Sequence, residues 1–148
     1  MGIGVEVEVV RDVTDEIAQA FSSLLPQLSR SAEPPAAEAL QALVTWPGTH
    51  QLIARADGAI VGALTLVTFP IPTGLRAWIE DVVVDEAARG RGVGAALTQE
   101  AVRLARAAGA RTVDLTSRPS REAANRLYER LGFQVRDSKV YRLSAEAS

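Results

Sequence analysis

The sequence predicts an α/β fold in which helices flank a mixed, mostly antiparallel central sheet. Two observations carry this prediction. Strand-like runs at 50–56 and 59–69 are joined by Asp57-Gly58, a dipeptide typical of two-residue hairpins. Further on, a strand, a glycine-rich turn and a helical pattern follow one another over 78–109. The 148 residues are enough to bury a core, so we expect a single domain over 1–148.

The elements before the hairpin are predicted to be one strand and two helices. Residues 5–9 alternate between valine and glutamate, which is the period of a strand with one solvated face. Thr14 can cap the first helix, although Pro26 should kink or shorten it. The second helix should begin at the two prolines 34–35 and end near Trp46.

The elements after the hairpin alternate between strands and helices, which completes the order β-α-α-β-β-β-α-β-α-β-β. They are a loop at 70–74, a strand at 79–84, the glycine turn at 89–94, a helix after it, a strand at 112–116, a helix at 121–131 capped by Ser120 and ended by Gly132, and strands at 133–136 and 140–143. The helix count is therefore about four.

Composition excludes several classes of function. A formal net charge of −2 and a pI near 5.5 argue against a nucleic-acid partner. The chain has no cysteine and His50 is its only histidine, so we expect no metal site. No apolar run reaches transmembrane length, and the amino terminus shows neither the basic region nor the apolar core expected of a signal peptide. We therefore expect a cytoplasmic protein with no membrane partner.

The glycine turn that precedes the long helix is a candidate anion site. Glycines let the backbone approach a ligand closely, and the free N–H groups at a helix start favour phosphate. The turn could instead serve packing alone. Gly90-x-Gly92-x-x-Ala95 also fits a dinucleotide fingerprint, with Asp114 near the distance of a ribose contact. However, antiparallel strands precede the turn and few residues follow it, which disfavours a nicotinamide cofactor.

The turn and a second motif together resemble the GNAT family of N-acetyltransferases. The first is Arg89-x-x-Gly92-x-Gly94, and the second extends from Asn125 through Tyr128 to Gly132-Phe133. The strand at 79–84 is also typical of that family. The resemblance is close over 49–143, whereas the first 45 residues match only in topology. It implies the GNAT fold, acetyl-CoA as co-substrate and an amine acceptor.

The resemblance also implies roles for particular residues. Val82, Val83 and Val84 would pair through their backbone with the pantetheine arm. Asn125 would contact the same arm, and Tyr128 would act near the thioester sulfur as general acid and cofactor contact. The pyrophosphate would be held by the backbone of Arg89, Gly90, Arg91, Gly92, Val93, Gly94 and Ala95.

The chemistry of an amine acceptor requires a base. An alkylamine has a pKa of about 10.4, so a proton must be removed before attack. Glu80 is the candidate, because it shares a strand face with Trp78 and Val82 while Asp81 lies opposite. Glu80 could instead form an ion pair with an arginine. Tyr128, taken alone, could be a tyrosine at the edge of the core.

The sequence thus predicts an enzyme that transfers acetyl from acetyl-CoA to a primary amine. Direct attack in a ternary complex is expected because no cysteine nucleophile exists. An inactive acyl-CoA-binding sensor is the alternative. The acceptor stays open among small amines, amino acids, antibiotics and peptide or protein amino termini, and it should be selected by the first two helices and residues 70–74. Members of the family are often dimers, so a homodimer is compatible with the resemblance.

Overall fold

The computed structural model of the protein describes residues 4–31 and 33–145. The chain divides into two compact units, of which the first ends at Thr116 and the second begins at Ser117. The first unit contains a five-stranded sheet in the order β1-β2-β3-β4-β5. Strands β1 to β4 are antiparallel neighbours, and β5 runs parallel to β4. The α/β class and the mixed, mostly antiparallel sheet are therefore confirmed.

The elements of the first unit follow the predicted order. Its strands are β1 Val5–Val9, β2 Thr49–Ala56, β3 Ala59–Ile71, β4 Gly74–Val84 and β5 Thr112–Asp114, and its helices are α1 Asp15–Leu28, α2 Ala37–Val44 and α3 Val93–Ala107. A short 3₁₀ turn, Glu86–Ala88, precedes α3. Across the described ranges, no helix has both the length and the apolar character needed to cross a membrane.

The first hairpin has the turn that its sequence predicts. Asp57 and Gly58 adopt φ values of 53° and 82°, and positive φ at both positions defines the turn that matches strand twist. The prediction of a loop at 70–74 is wrong. Strand β3 continues to Ile71, which pairs with Gly74 across a tight turn. Pro70 is tolerated in β3 because β2 ends opposite Val67, which leaves that edge of β3 without a partner strand.

The starts of α1 and α2 and the effect of Pro26 can be compared with the predictions. The Thr14 hydroxyl accepts a hydrogen bond from the Ile17 N–H, which satisfies one free donor of the first turn. Pro26 does not end the helix, which continues to Leu28. Helix α2 begins at Ala37 rather than at the prolines, with Leu40 buried on its inner face.

The helices cover both faces of the sheet. Helices α1 and α2 pack against the face that carries Ile53, Ala63 and Val83. Helix α3 lies on the other face, where Gly62 approaches Val93 and Leu97. A Cβ atom at Gly62 would stand 2.9 Å from Val93 Cγ1 and 3.1 Å from the Val83 carbonyl oxygen. Gly62 is therefore required by the close approach of α3.

Gly62→Ala should lower the free energy of unfolding by about 1–3 kcal/mol, because the added methyl overpacks the contact between the sheet and α3. Urea denaturation measures the change. Gly4→Ala is the matched control, since no atom lies within 4 Å of a Cβ built there, and its stability should stay within about 0.5 kcal/mol of the wild type. Equal stability of the two variants would contradict the packing argument.

The second unit consists of helix α4, Glu122–Arg130, and the segments around it. Gly132 follows the helix with a φ of 101°, which confirms its role as the terminating residue. The predicted Ser120 cap is wrong, because Arg121 occupies that position and no side chain caps the helix. The two final predicted strands are also wrong. Residues 133–145 form no strand, since a short alternating run needs a partner ladder as well as β propensity.

Candidate active site

The turn between β4 and α3 presents free backbone donors. Gly90 and Gly92 adopt φ values of 80° and 81°, which glycine reaches at little cost. Gly92 caps α3 without a side-chain hydrogen bond, and the Ala96 N–H is the first to reach its carbonyl. The N–H groups of residues 93–95 therefore extend beyond the helical ladder. This is the arrangement that the predicted pyrophosphate site requires.

Hydrogen bonds to two other elements, β3 and α1, and one local hydrogen bond hold the start of this turn in place. The Asp85 N–H donates to the Val61 carbonyl at 2.8 Å. The Glu86 N–H donates to Gln27 Oε1 on α1 at 3.0 Å. The Asp85 carboxylate in turn accepts from the Ala87 N–H at 3.2 Å. The donors at the start of α3 are therefore oriented by the fold before any ligand arrives.

The charged residues near the turn differ in whether they form ion pairs with other side chains. Arg91 Nη2 lies 3.3 Å from Asp57 Oδ2 of the first hairpin, whereas Arg89 is exposed and has no ion pair with any described residue. Asp114, the candidate ribose contact, is held by Arg76 at 3.1 Å. Arg89 is thus the guanidinium free for a phosphate, and Asp114 has a structural partner.

Strand β4 has one edge available along its second half. Strand β5 pairs only with Arg76, Ala77 and Trp78. On the opposite edge, Val83 and Val84 pair with β3. The edge of residues 79–84 that faces away from β3 is therefore not paired by β5. Such an edge can accept an extended ligand as an additional strand, which is the arrangement predicted for Val82, Val83 and Val84.

A β-bulge interrupts β4 within this half. Glu80 pairs with Thr65 and Val83 pairs with Ala63, so a single residue of β3 faces both Asp81 and Val82. Asp81 adopts a φ of 51°, the left-handed conformation found in such bulges. The predicted alternation is therefore wrong. The extra residue places Val83, rather than Val82, on the face of Glu80.

Glu80 lies on the sheet face that α1 and α2 cover. Its partner Thr65 faces the same side, because directly opposed residues of antiparallel strands share a face. The Glu80 side chain is exposed, and it forms no ion pair within the described ranges. The arginine pair considered for Glu80 is thus not formed there, and the carboxylate is accessible.

A cavity of about 190 Å³ opens beside the bulge. Three of its lining residues are polar, and among these Asp81 carries a charge. Gln51 is buried and accepts from the Thr65 hydroxyl at 2.8 Å, while its amide donates to the Leu64 carbonyl at 3.2 Å. The apolar lining includes Phe21, Leu25, Pro35, Leu40, Leu43 and Val83. Sequence reasoning missed this cavity and the place of Asp81 in it, since neither has a local signature.

Asn125 and Tyr128 belong to the second unit and share one flank of α4. The Asn125 amide donates to the Arg118 carbonyl at 3.0 Å. Tyr128 is 8% exposed and meets the edge of Phe133, with ring centroids 5.8 Å apart. Burial raises the pKa of the Tyr128 phenol, although the positive charge of Arg121 opposes this. The hydroxyl therefore stays protonated at neutral pH and can act as a donor.

Comparison with known proteins identifies the class. The model of the acetyltransferase (GNAT) family matches residues 13–133, and the chain belongs to that family. A comparison with curated proteins found no match.

Solved structures share the fold. An acetyltransferase from Trypanosoma brucei is 26% identical with a TM-score of 0.73, and the match covers 95% of this chain and 99% of that one. An aminoglycoside acetyltransferase from an uncultured soil metagenomic sample, in complex with sisomicin, has a TM-score of 0.82 at 18% identity, with 97% of each chain covered. A ribosomal-protein-alanine N-acetyltransferase from Brucella melitensis has a TM-score of 0.74 at 23% identity, with 95% and 100% covered. At their low identities, the last two show the fold alone.

Proposed function

We propose that this protein transfers the acetyl group of acetyl-CoA to a primary amine. The observation that carries the proposal is the start of α3, which no side chain caps. A short 3₁₀ turn separates it from β4, a strand with a free edge and a cavity beside its bulge. These features provide, in chain order, a place for an acceptor, for an extended thiol arm and for a pyrophosphate. We take residues 1–148 to act as a single acetyltransferase domain.

Acetyl-CoA would be bound mainly through the backbone. The N–H groups of residues 89–95 hold the pyrophosphate, and the exposed Arg89 adds a charged contact. The free edge of Val82–Val84 pairs with the pantetheine arm, and the family resemblance assigns Asn125 to the same arm. When bound, acetyl-CoA supplies the activated acyl group. The donor set suits this ligand, because backbone N–H groups match the acceptor oxygens of a phosphate and an amide arm.

The reaction needs one base and one acid from this chain. Glu80 takes a proton from the ammonium of the acceptor, either directly or through water, and the neutral nitrogen then attacks the thioester carbon. A C–N bond forms, and a backbone N–H of β4 stabilises the charge that develops on the carbonyl oxygen. The C–S bond then breaks. The departing thiolate receives the proton of the Tyr128 phenol, which is the role that the family resemblance gives this residue. The second proton that the attacking nitrogen loses passes through water to the phenolate of Tyr128, and Glu80 returns its own proton to solvent.

Glu80→Gln should lower kcat/KM at neutral pH by about 10²- to 10⁴-fold, because the amide cannot accept the proton. The loss should shrink as pH rises toward the amine pKa of about 10.4, where free amine is abundant. A kcat/KM profile against pH measures both effects. Glu6→Gln on β1, which is also exposed, is the matched control and should keep the wild-type profile. A loss that is constant across pH would contradict the role of Glu80 as base.

Turnover tests the function as a whole. Purified protein is incubated with acetyl-CoA and a mixed panel of small amines, amino acids, an aminoglycoside and peptide amino termini, and released thiol is measured. Amine-dependent thiol release supports the proposal. Tight acetyl-CoA binding without release on any amine would instead favour an acyl-CoA-binding sensor.

A further inference from the structure

The cavity on the α1–α2 side of the sheet has the size of one aromatic ring. Its volume is about 190 Å³, whereas pockets for drug-sized ligands measure about 300–1,000 Å³. A protein cavity of about 150 Å³ lined by aliphatic and aromatic side chains holds a benzene molecule. The available space therefore fits a phenyl ring, or a branched alkyl group of that size, with one or two methylenes.

The walls of the cavity disfavour a polar occupant. Phe21 and Leu40 are 5% and 2% exposed, so the inner wall is a continuation of the core. The side-chain oxygen of Gln51 already accepts a hydrogen bond from the Thr65 hydroxyl. Its amide nitrogen already donates to the backbone carbonyls of Leu52 and Leu64. A ligand hydroxyl packed against the inner wall of Phe21 and Leu40 would lose water without gaining a partner, at a cost of about 1–3 kcal/mol. The walls thus select an apolar group.

The rim of the cavity carries one negative charge. Asp81 lines the cavity from the bulge of β4, and within the described ranges its carboxylate has no ion pair. The bulge is what brings an acidic side chain to a wall whose other lining residues are uncharged. Glu80, the proposed base, precedes Asp81 directly in the chain. An ammonium group beside Asp81 is therefore close to a group that can take its proton.

We propose that this cavity selects the acceptor: a compact arylalkyl or alkyl primary amine fills it with its apolar group, and Asp81 holds the ammonium. The inference rests on the acetyl transfer proposed above and narrows its substrate class. An aminoglycoside is excluded by its size and by its many hydroxyl groups. The expected acceptors have about the dimensions of 2-phenylethylamine.

Calorimetry with 2-phenylethylamine tests the cavity without requiring turnover. The wild type should bind this amine at least tenfold more tightly than 2-phenylethanol, its uncharged analogue, and than ethanolamine, which lacks the ring. Asp81→Asn should abolish the preference for the amine over the alcohol. Asparagine suits this test because it tolerates the positive φ of residue 81 as aspartate does. Equal binding of all three compounds, or an unchanged preference in the variant, would overturn the inference.

Turnover of amines of different length tests whether the size of the cavity determines which acceptor is used. Leu43 is 36% exposed, so it can be changed with little effect on the core. Leu43→Ala should raise the ratio of kcat/KM for 4-phenylbutylamine over 2-phenylethylamine at least fivefold, and Leu43→Trp should lower it, with an unchanged KM for acetyl-CoA. Leu143→Ala, at a leucine that is 97% exposed, is the control and should leave the ratio unchanged. An unaltered ratio in both Leu43 variants would overturn the inference.

The two proposals fail in different ways. If only polar amines release thiol, acetyl transfer stands and the apolar acceptor is wrong. If 2-phenylethylamine binds in a manner that depends on Asp81 but no amine releases thiol, the cavity inference stands as a binding site and acetyl transfer is wrong.

Discussion

Gly92→Asp should raise the Kd for acetyl-CoA at least a hundredfold, equivalent to about 2.7 kcal/mol. Aspartate tolerates the left-handed conformation of this position, so the turn is kept. Its carboxylate would accept hydrogen bonds from the start of α3, where helices favour an acidic residue. The same N–H groups are then occupied, and a negative charge repels the pyrophosphate. Calorimetric titration with acetyl-CoA measures the loss.

The other end of the same helix provides the matched control. Gly109 adopts a φ of 90°, and no atom lies within 4 Å of a Cβ built there or at Gly92. Gly109→Asp therefore introduces the same side chain with similar backbone strain, roughly 1 kcal/mol, but far from the anion site. Its Kd for acetyl-CoA should be that of the wild type. Equal weakening in both variants would mean that the effect reports strain, and the pyrophosphate site would be wrong.

Tyr128→Phe should lower kcat about ten- to a thousandfold while the KM for acetyl-CoA changes little. The substitution removes the hydroxyl and keeps the ring, so the edge-to-face contact with Phe133 is preserved. A thiol has a pKa of about 8.5 and an ordinary tyrosine about 10, and burial raises the pKa of Tyr128 further. The phenol is therefore protonated when the thiolate departs. Steady-state kinetics with both substrates measures the change.

Tyr141→Phe is the control for this prediction, because Tyr141 is 88% exposed and the same oxygen atom is removed. It should retain full kcat. The role of Tyr128 as acid would be contradicted by wild-type kcat in Tyr128→Phe, which would leave this residue as a packing tyrosine of the second unit. A loss of helical signal in the variant would likewise assign the effect to structure, so circular dichroism is recorded alongside the kinetics.

The sequence by itself determined the features that depend on a few consecutive residues. The Asp57-Gly58 turn and the Thr14 cap were predictable because each requires a backbone conformation or a hydrogen bond that few residue types provide. The glycine turn before α3 and the common flank of Asn125 and Tyr128 follow from spacing within one helix or at its end. These features also sufficed for the resemblance to the acetyltransferase family.

The tertiary structure alone decided which surfaces these elements present to one another. The bulge at Asp81 depends on the register between β3 and β4, so no local pattern in β4 predicts that Val83 joins Glu80 on one face. The cavity depends on how α1 and α2 cover that face, and the Arg91–Asp57 pair joins residues 34 positions apart. Such features arise from contacts distant in sequence, whose energies are set by packing and pairing rather than by the propensity of a single segment.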